Sequence, residues 1–276
     1  MSKITAAEVN KLRKQTGAGM MDCKKALVES DGDFEKAVDY LRKKGQKVAA
    51  KRSDREAGEG VVLSKVNDNN TFGAAIMVNC ETDFVAKNED FIAFSQMLLD
   101  AALDNHIDSV DNLKALEISG KKVEDLLLDQ VGKIGEKIEI GDYQTIEGVY
   151  IKSYIHSGNR LATLVEMSKK TEGIDEAGKN IAMQVAAMNP VALNRESVKQ
   201  DMIDRELEVA KEQIRLEGKP ENMVEKIAMG KLNKFFKENT LMSQAYIKDS
   251  KINVETYLKQ IDKELNVKKY VRLGLS

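Results

Sequence analysis

The stretch from residue 74 to residue 94 constrains this chain more than any other. Ala74-Ala75-Ile76-Met77-Val78 is a short apolar run that reads as a buried strand. Phe91, Phe94, Leu98 and Ala101 or Ala102 follow at steps of three and four, the signature of an amphipathic helix. Between them lies Thr82-Asp83-Phe84-Val85. Two readings of Phe84 stand side by side. Its ring can tuck into the first turn of the following helix. It can also project as a rigid apolar wedge, since exposed aromatics on rigid elements anchor interfaces.

The segments on either side divide the chain. Residues 3–45 read as three short helices: Thr5 and Glu8 form a capping box, Asp33 caps the third helix, and Gly17, Gly32 and Gly45 act as stops. A charged, glycine-containing linker follows to Gly60. Residues 61–66 and 72–80 read as strands joined by the turn cluster Asn67-Asp68-Asn69-Asn70. Val123, Leu126, Leu127, Gln130 and Val131 mark another helix, and residues 138–168 read as three further strands. Ile181, Val185 and Met188 face inward from a helix that ends before Pro190. Strand, strand, helix therefore occurs at 61–104 and again at 149–188. Over 195–238, Val198, Met202, Leu207, Ala210 and Ile214, then Met223, Ile227 and Phe235 around Gly218-Lys219-Pro220, predict a protruding antiparallel helical hairpin. A last helix and a strand, Lys268 to Leu273, should return to a sheet. The expectation is an α+β fold with antiparallel sheets in three parts. Residues 1–55 form a helical module with a basic linker, 56–140 a first core subdomain, and 141–276 a second with the hairpin inserted.

Charge is distributed unevenly along the chain. The whole carries a net charge of −2, yet residues 1–55 hold fourteen Lys or Arg against eight Asp or Glu. A basic module beside an acidic body suits an acidic partner, protein or nucleic acid. A salt-sensitive nucleic-acid adaptor and a structural dimer built on the hairpin are the competing functional classes. With no Trp and 5% aromatic residues, base stacking is not an evident theme. Cys23 and Cys80 make neither a disulfide framework nor a zinc pattern. No run reads as a signal peptide or membrane span, which places the protein in the cytoplasm.

Residues for covalent chemistry are sparse. His106 and His156 sit in unrelated segments, and neither Walker nor dinucleotide glycine patterns occur. Gly132-x-x-Gly135 lies at a helix end, where Gly is an ordinary stop. The carboxylates show no ligand spacing, and Asp83 has no nearby co-ligand. Neither a metal, a cofactor nor enzymatic catalysis is expected.

Four segments converge on one family. Thr16-Gly17-Ala18-Gly19-Met20-Met21-Asp22-Cys23-Lys24-Lys25-Ala26-Leu27 closely resembles the N-terminal module of bacterial elongation factor Ts. Glu81-Thr82-Asp83-Phe84-Val85-Ala86-Lys87-Asn88 resembles that family's central motif. Lys133-Ile134-Gly135-Glu136-Lys137-Ile138 and Ile181-Ala182-Met183-Gln184-Val185-Ala186-Ala187 look like two more of its segments, in order and at the right spacing. The resemblance implies an N-terminal domain of ubiquitin-associated type, two α+β subdomains and a helical hairpin. It also implies guanine-nucleotide exchange on elongation factor Tu, the GTPase that delivers aminoacyl-tRNA, and no direct nucleic-acid binding. A homodimer or a 2:2 complex is compatible with it.

Matched position by position, Thr82, Asp83, Phe84 and Val85 occupy the family's wedge, which dislodges the partner's Mg²⁺. Arg13, Met20 and Met21 match positions that lean on the nucleotide-binding domain. Ile134 and Gly135 match a segment near the nucleotide pocket, and His156 matches a contact to another domain of the GTPase. Gln184 departs from a frequent His, and Gln244-Ala245-Tyr246 from a common Gln-Pro-Phe. The chain stops soon after Val271-Arg272-Leu273, so a longer docking tail is not expected.

Overall fold

The computed structural model describes residues 4–275. Three helices come first, α1 (Ala6–Thr16), α2 (Met20–Glu29) and α3 (Phe34–Arg52). Strands β1 (Glu59–Val66) and β2 (Phe72–Cys80) follow, then the single turn α4 (Asp83–Ala86) and the helices α5 (Glu89–Asp104) and α6 (Val110–Ala115). A small hairpin, β3 (Glu117–Ile118) and β4 (Lys121–Lys122), leads into α7 (Val123–Ile134). Next come β5 (Glu139–Glu147), β6 (Tyr150–Ile155), β7 (Leu161–Met167) and α8 (Ile174–Met188). The long pair α9 (Gln200–Leu216) and α10 (Glu221–Asn239) precedes β8 (Ala245–Tyr246), β9 (Asp249–Asn253), α11 (Val254–Ile261) and β10 (Val267–Gly274).

Thr5 opens α1 as its spacing predicts. Its hydroxyl accepts the Glu8 amide at 3.3 Å, and the Glu8 carboxylate accepts the Thr5 amide at 2.7 Å. Each side chain thereby satisfies a backbone donor at the helix start. Val9, Leu12, Cys23, Ala26, Leu27 and Ala37 close a small core among α1, α2 and α3.

Gly45 does not end the third helix. α3 runs on to Arg52, and seven residues of the expected linker are helical, leaving only residues 53–58 irregular. The reason is a close helix crossing. A Cβ on Gly45 would stand 2.9 Å from the Leu128 carbonyl oxygen, and one on Gly132 would stand 3.2 Å from the Gly45 Cα. Both glycines serve backbone approach between α3 and α7, a use that sequence cannot separate from a stop signal.

Two antiparallel sheets form the body, with strand orders β1-β2-β5 and β10-β7-β6. Val62, Ala75, Ile146, Ile151, Leu164 and Leu273 fill the space between them. On the outer face of the first sheet, Ile76 and Val78 pack against Phe91, Leu98 and Leu99 of α5 and Leu127 and Val131 of α7. On the second, Val165 and Met167 meet Ile181 and Val185 of α8 and Val254 and Leu258 of α11. β2 is therefore covered on both faces, which is why Phe72 to Val78 is an unbroken apolar run.

The expected second group of strands is divided between the sheets. β5 pairs with β2, not with β6, so the boundary expected at residue 140 falls inside a strand. Local patterning marks β5 as a strand but says nothing about its neighbour. Both sheets then follow one plan: a hairpin, a covering helix, and a third strand returning from later in the chain.

α9 and α10 form the expected antiparallel hairpin, with one change of face. The inward row on α10 is Val224, Ala228, Leu232 and Phe236. Met223 is exposed, and Ile227 and Phe235 are half-buried. Apolar residues come there in adjacent pairs, so periodicity alone cannot choose the inner one. Among the described residues, no helix is long and apolar enough to cross a membrane.

Candidate functional site

β2 delivers the chain to the site and stops at Cys80. The next residues turn sharply, and Thr82 becomes the N-cap of α4, its hydroxyl accepting the Val85 amide at 3.4 Å. Phe84 sits on that turn with 83% of its surface exposed. Val85, its neighbour, leans into the core beneath the first sheet. Of the two readings of Phe84, the projecting one is the structure's. The Asp83 carboxylate accepts from the Lys87 ammonium at 2.6 Å, and this bond holds its pKa below the ordinary carboxylate value.

Two acidic side chains hold the turn in place. Glu136 Oε2 accepts the amides of Glu81 and Thr82, each at 3.1 Å, and its Oε1 accepts the Thr82 hydroxyl at 2.7 Å. In the reverse direction, the Glu81 carboxylate accepts the Lys137 amide at 2.6 Å. Arg52, the last residue of α3, reaches both Glu81 oxygens at 2.8 and 2.7 Å. The Lys137 amide and then the Arg52 guanidinium lower the Glu81 pKa, against the opposing effect of burial. These three residues were not singled out from sequence. The available signal was that Glu81 opens one recognised motif and Glu136 lies within another.

The structure brings the 82–85 turn and the 134–135 segment together. Ile134 lines the same shallow hollow as Phe84 and Val85. Gly135 ends α7 in the left-handed region at φ 84°, which turns the chain toward Glu136. Arg13, Met20 and Met21 lie on the helical module, on α1 and α2, and all are exposed. Met20 and Met21 expose 53% and 75% of their surface, so neither belongs to the module's core. His156 is exposed in the turn after β6, its Nδ1 3.0 Å from the Tyr154 hydroxyl, beside an apolar hollow lined by Met183, Ala187 and Ile247. His106, in a tight turn, has its ring 4.8 Å from that of Phe72 and tilted 41° to it.

The Cys80 thiol lies under the turn and donates to the Thr82 carbonyl at 3.2 Å. Burial, then the Glu136 carboxylate, pushes its pKa up to about 12, which keeps it protonated and a poor nucleophile. Among the described residues, no three His, Cys, Asp or Glu gather closely enough to hold a metal ion. What the site presents is an apolar ring on a braced turn. Such a surface suits binding to another protein.

Comparison with known proteins gives this geometry its family. The family model described as Elongation factor TS matches residues 81–276, from the braced turn to the end of the chain. The chain is 58% identical over 275 residues to elongation factor Ts of Christiangramia forsetii, with 100% of each chain covered. It is 54% identical to that of Flavobacterium psychrophilum, again over 100% of each. Identity to elongation factor Ts of Porphyromonas gingivalis is 48%, covering 99% of this chain and 98% of that protein. The chain belongs to the elongation factor Ts family of translation elongation factors.

Proposed function

We propose that this chain is a guanine-nucleotide exchange factor for elongation factor Tu, acting by binding alone. The observation that carries the reading is Phe84, a large aromatic side chain 83% exposed on a turn whose start is held by Glu136. Bound GDP and Mg²⁺ hold the GTPase closed, because metal and backbone amides neutralise the phosphate charge. An exchange factor must bind the open, nucleotide-free form more tightly. By linkage, GDP then weakens the factor's binding by the same ratio.

Shifting such an equilibrium nearly completely takes about 5.5 kcal/mol of differential affinity. Burying one aromatic ring only in the open form supplies about 1.5–3 kcal/mol. Phe84 alone falls short, so the remaining contacts are assigned to other surfaces. Arg13, Met20 and Met21 dock the helical module, Ile134 and Gly135 lie beside the wedge, and His156 engages a second domain. Insertion of Thr82-Asp83-Phe84-Val85 displaces the partner's Mg²⁺, and GDP leaves faster. The factor accelerates exchange in both directions, and the ratio of GTP to GDP sets the outcome. Release of fluorescent GDP from purified elongation factor Tu tests the reading: no acceleration by the wild-type chain would refute it.

A further inference from the structure

The one-turn helix that bears Phe84 cannot hold the ring by itself. Four residues lie far below the length at which a helix is stable in water. The direction of the ring is therefore set by what grips the start of the turn. A threonine hydroxyl has one proton and two lone pairs. At Thr82 the proton goes to Glu136 Oε1 at 2.7 Å, and a lone pair takes the Val85 amide at 3.4 Å. The other Glu136 oxygen takes two consecutive amides, of Glu81 and Thr82. One carboxylate thus fixes the backbone ahead of the turn and orients the hydroxyl that caps it. Three donors converge on Glu136. A glutamine offers one oxygen; if that oxygen keeps the two amides, its nitrogen can only donate to the Thr82 hydroxyl, whose proton then loses the acceptor that orients it.

We propose that Glu136 is a positioning residue for the exposed Phe84 ring, acting through the Thr82 hydroxyl, with Glu81 and Arg52 bracing the same turn against α3. This rests on the exchange reading and deepens it, since Glu136 acts on GDP release only through placement of the ring. Glu81 takes the Lys137 amide, the residue after Glu136, so each of the two loops holds the other. Arg52 adds the third corner and ties the last turn of α3 to the wedge.

The test uses the full chain and elongation factor Tu loaded with fluorescent GDP. The variants are Glu136→Gln, Thr82→Val and Thr82→Ser, each alone and combined with Phe84→Ala. In the Phe84 background, Glu136→Gln and Thr82→Val should lower the maximal release rate about tenfold, with half-saturation shifted less than about threefold. Thr82→Ser, which keeps the hydroxyl, should recover most of the release rate that Thr82→Val loses. In the Phe84→Ala background, the same substitutions should add almost nothing, because there is no ring left to aim. An equal loss in both backgrounds overturns the proposal.

A second readout needs no partner. The chain has no tryptophan, so the indole of Phe84→Trp is the only one present and can be excited at wavelengths where the seven tyrosines do not absorb. Its anisotropy should fall when Glu136→Gln or Thr82→Val is added and hold with Thr82→Ser. Unchanged anisotropy overturns the positioning role whatever the exchange assay gives. No release by the wild-type chain, with anisotropy falling as expected, removes the exchange reading and leaves the positioning of the ring. Should Glu136→Gln fail to fold, the Thr82→Val and Thr82→Ser pair decides both readouts.

Discussion

The Glu136 carboxylate and the Thr82 hydroxyl meet at 2.7 Å across 54 residues of sequence. Through that contact, the loop leaving β2 and the loop leaving α7 become one platform. Phe84 stands on it, exposed to solvent and supported by buried strands beneath.

Phe84→Ala should leave thermal stability within the small range of surface substitutions, since the ring touches little of its own chain. Stimulated GDP release should slow roughly thirtyfold, the rate equivalent of about 2 kcal/mol for an interface anchor. Stopped-flow release at saturating factor measures it, and a rate equal to wild type would end the wedge assignment.

Met20→Ala combined with Met21→Ala should likewise leave the melting temperature unchanged, because both side chains are exposed. Affinity for nucleotide-free elongation factor Tu should fall about tenfold. The release rate within the complex should change less. Calorimetric titration gives the affinity, and an unchanged value would remove these methionines from the interface.

Gly45→Ala sets two effects against each other. Alanine favours a helix interior by about 1 kcal/mol over glycine. Its Cβ would stand 2.9 Å from the Leu128 carbonyl oxygen, a backbone atom that cannot swing aside. Overpacking costs about 1–3 kcal/mol, so the expected result is a net loss of stability and faster proteolysis within residues 53–58. A raised melting temperature would mean that α3 and α7 separate at little cost.

The Glu81 brace should weaken in acid. Its pKa lies below the ordinary 4.5 in the folded chain, so folding favours the ionised form. The stabilisation is complete above the unfolded-state value and is lost as pH falls through the lower folded value. Glu81→Gln should therefore melt below wild type at pH 7, and the gap should close as the medium is taken below about pH 4.5. A gap that persists unchanged in strong acid would show that the carboxylate's charge does not matter there.

Much of this architecture was legible in sequence, for physical reasons that differ by element. The buried run of β2 and the spaced Phe91, Phe94 and Leu98 identified strand and helix because burial imposes period on sequence. Thr5 and Glu8 announced their helix because a cap needs those atoms at that spacing. Gly45 misled because glycine serves both as a helix stop and as a place for two backbones to touch. β5 could not be placed because pairing partners are chosen by tertiary contact. At the site, the motif supplied Phe84, but spacing alone could not say whether its ring faced in or out. The Glu81 and Glu136 crossing was invisible because it joins two distant loops through backbone amides, which carry no residue identity.

The membership of β5 in the first sheet also matters while the chain is being made. β2 is complete at Cys80, yet its second neighbour begins only at Glu139. At about 5–20 residues per second, one edge of a largely apolar strand waits several seconds for its mate to emerge from the ribosome. An open edge of that kind invites pairing with another chain. A factor serving translation is thus exposed, during its own synthesis, to a hazard that ends only when residue 147 has cleared the exit tunnel.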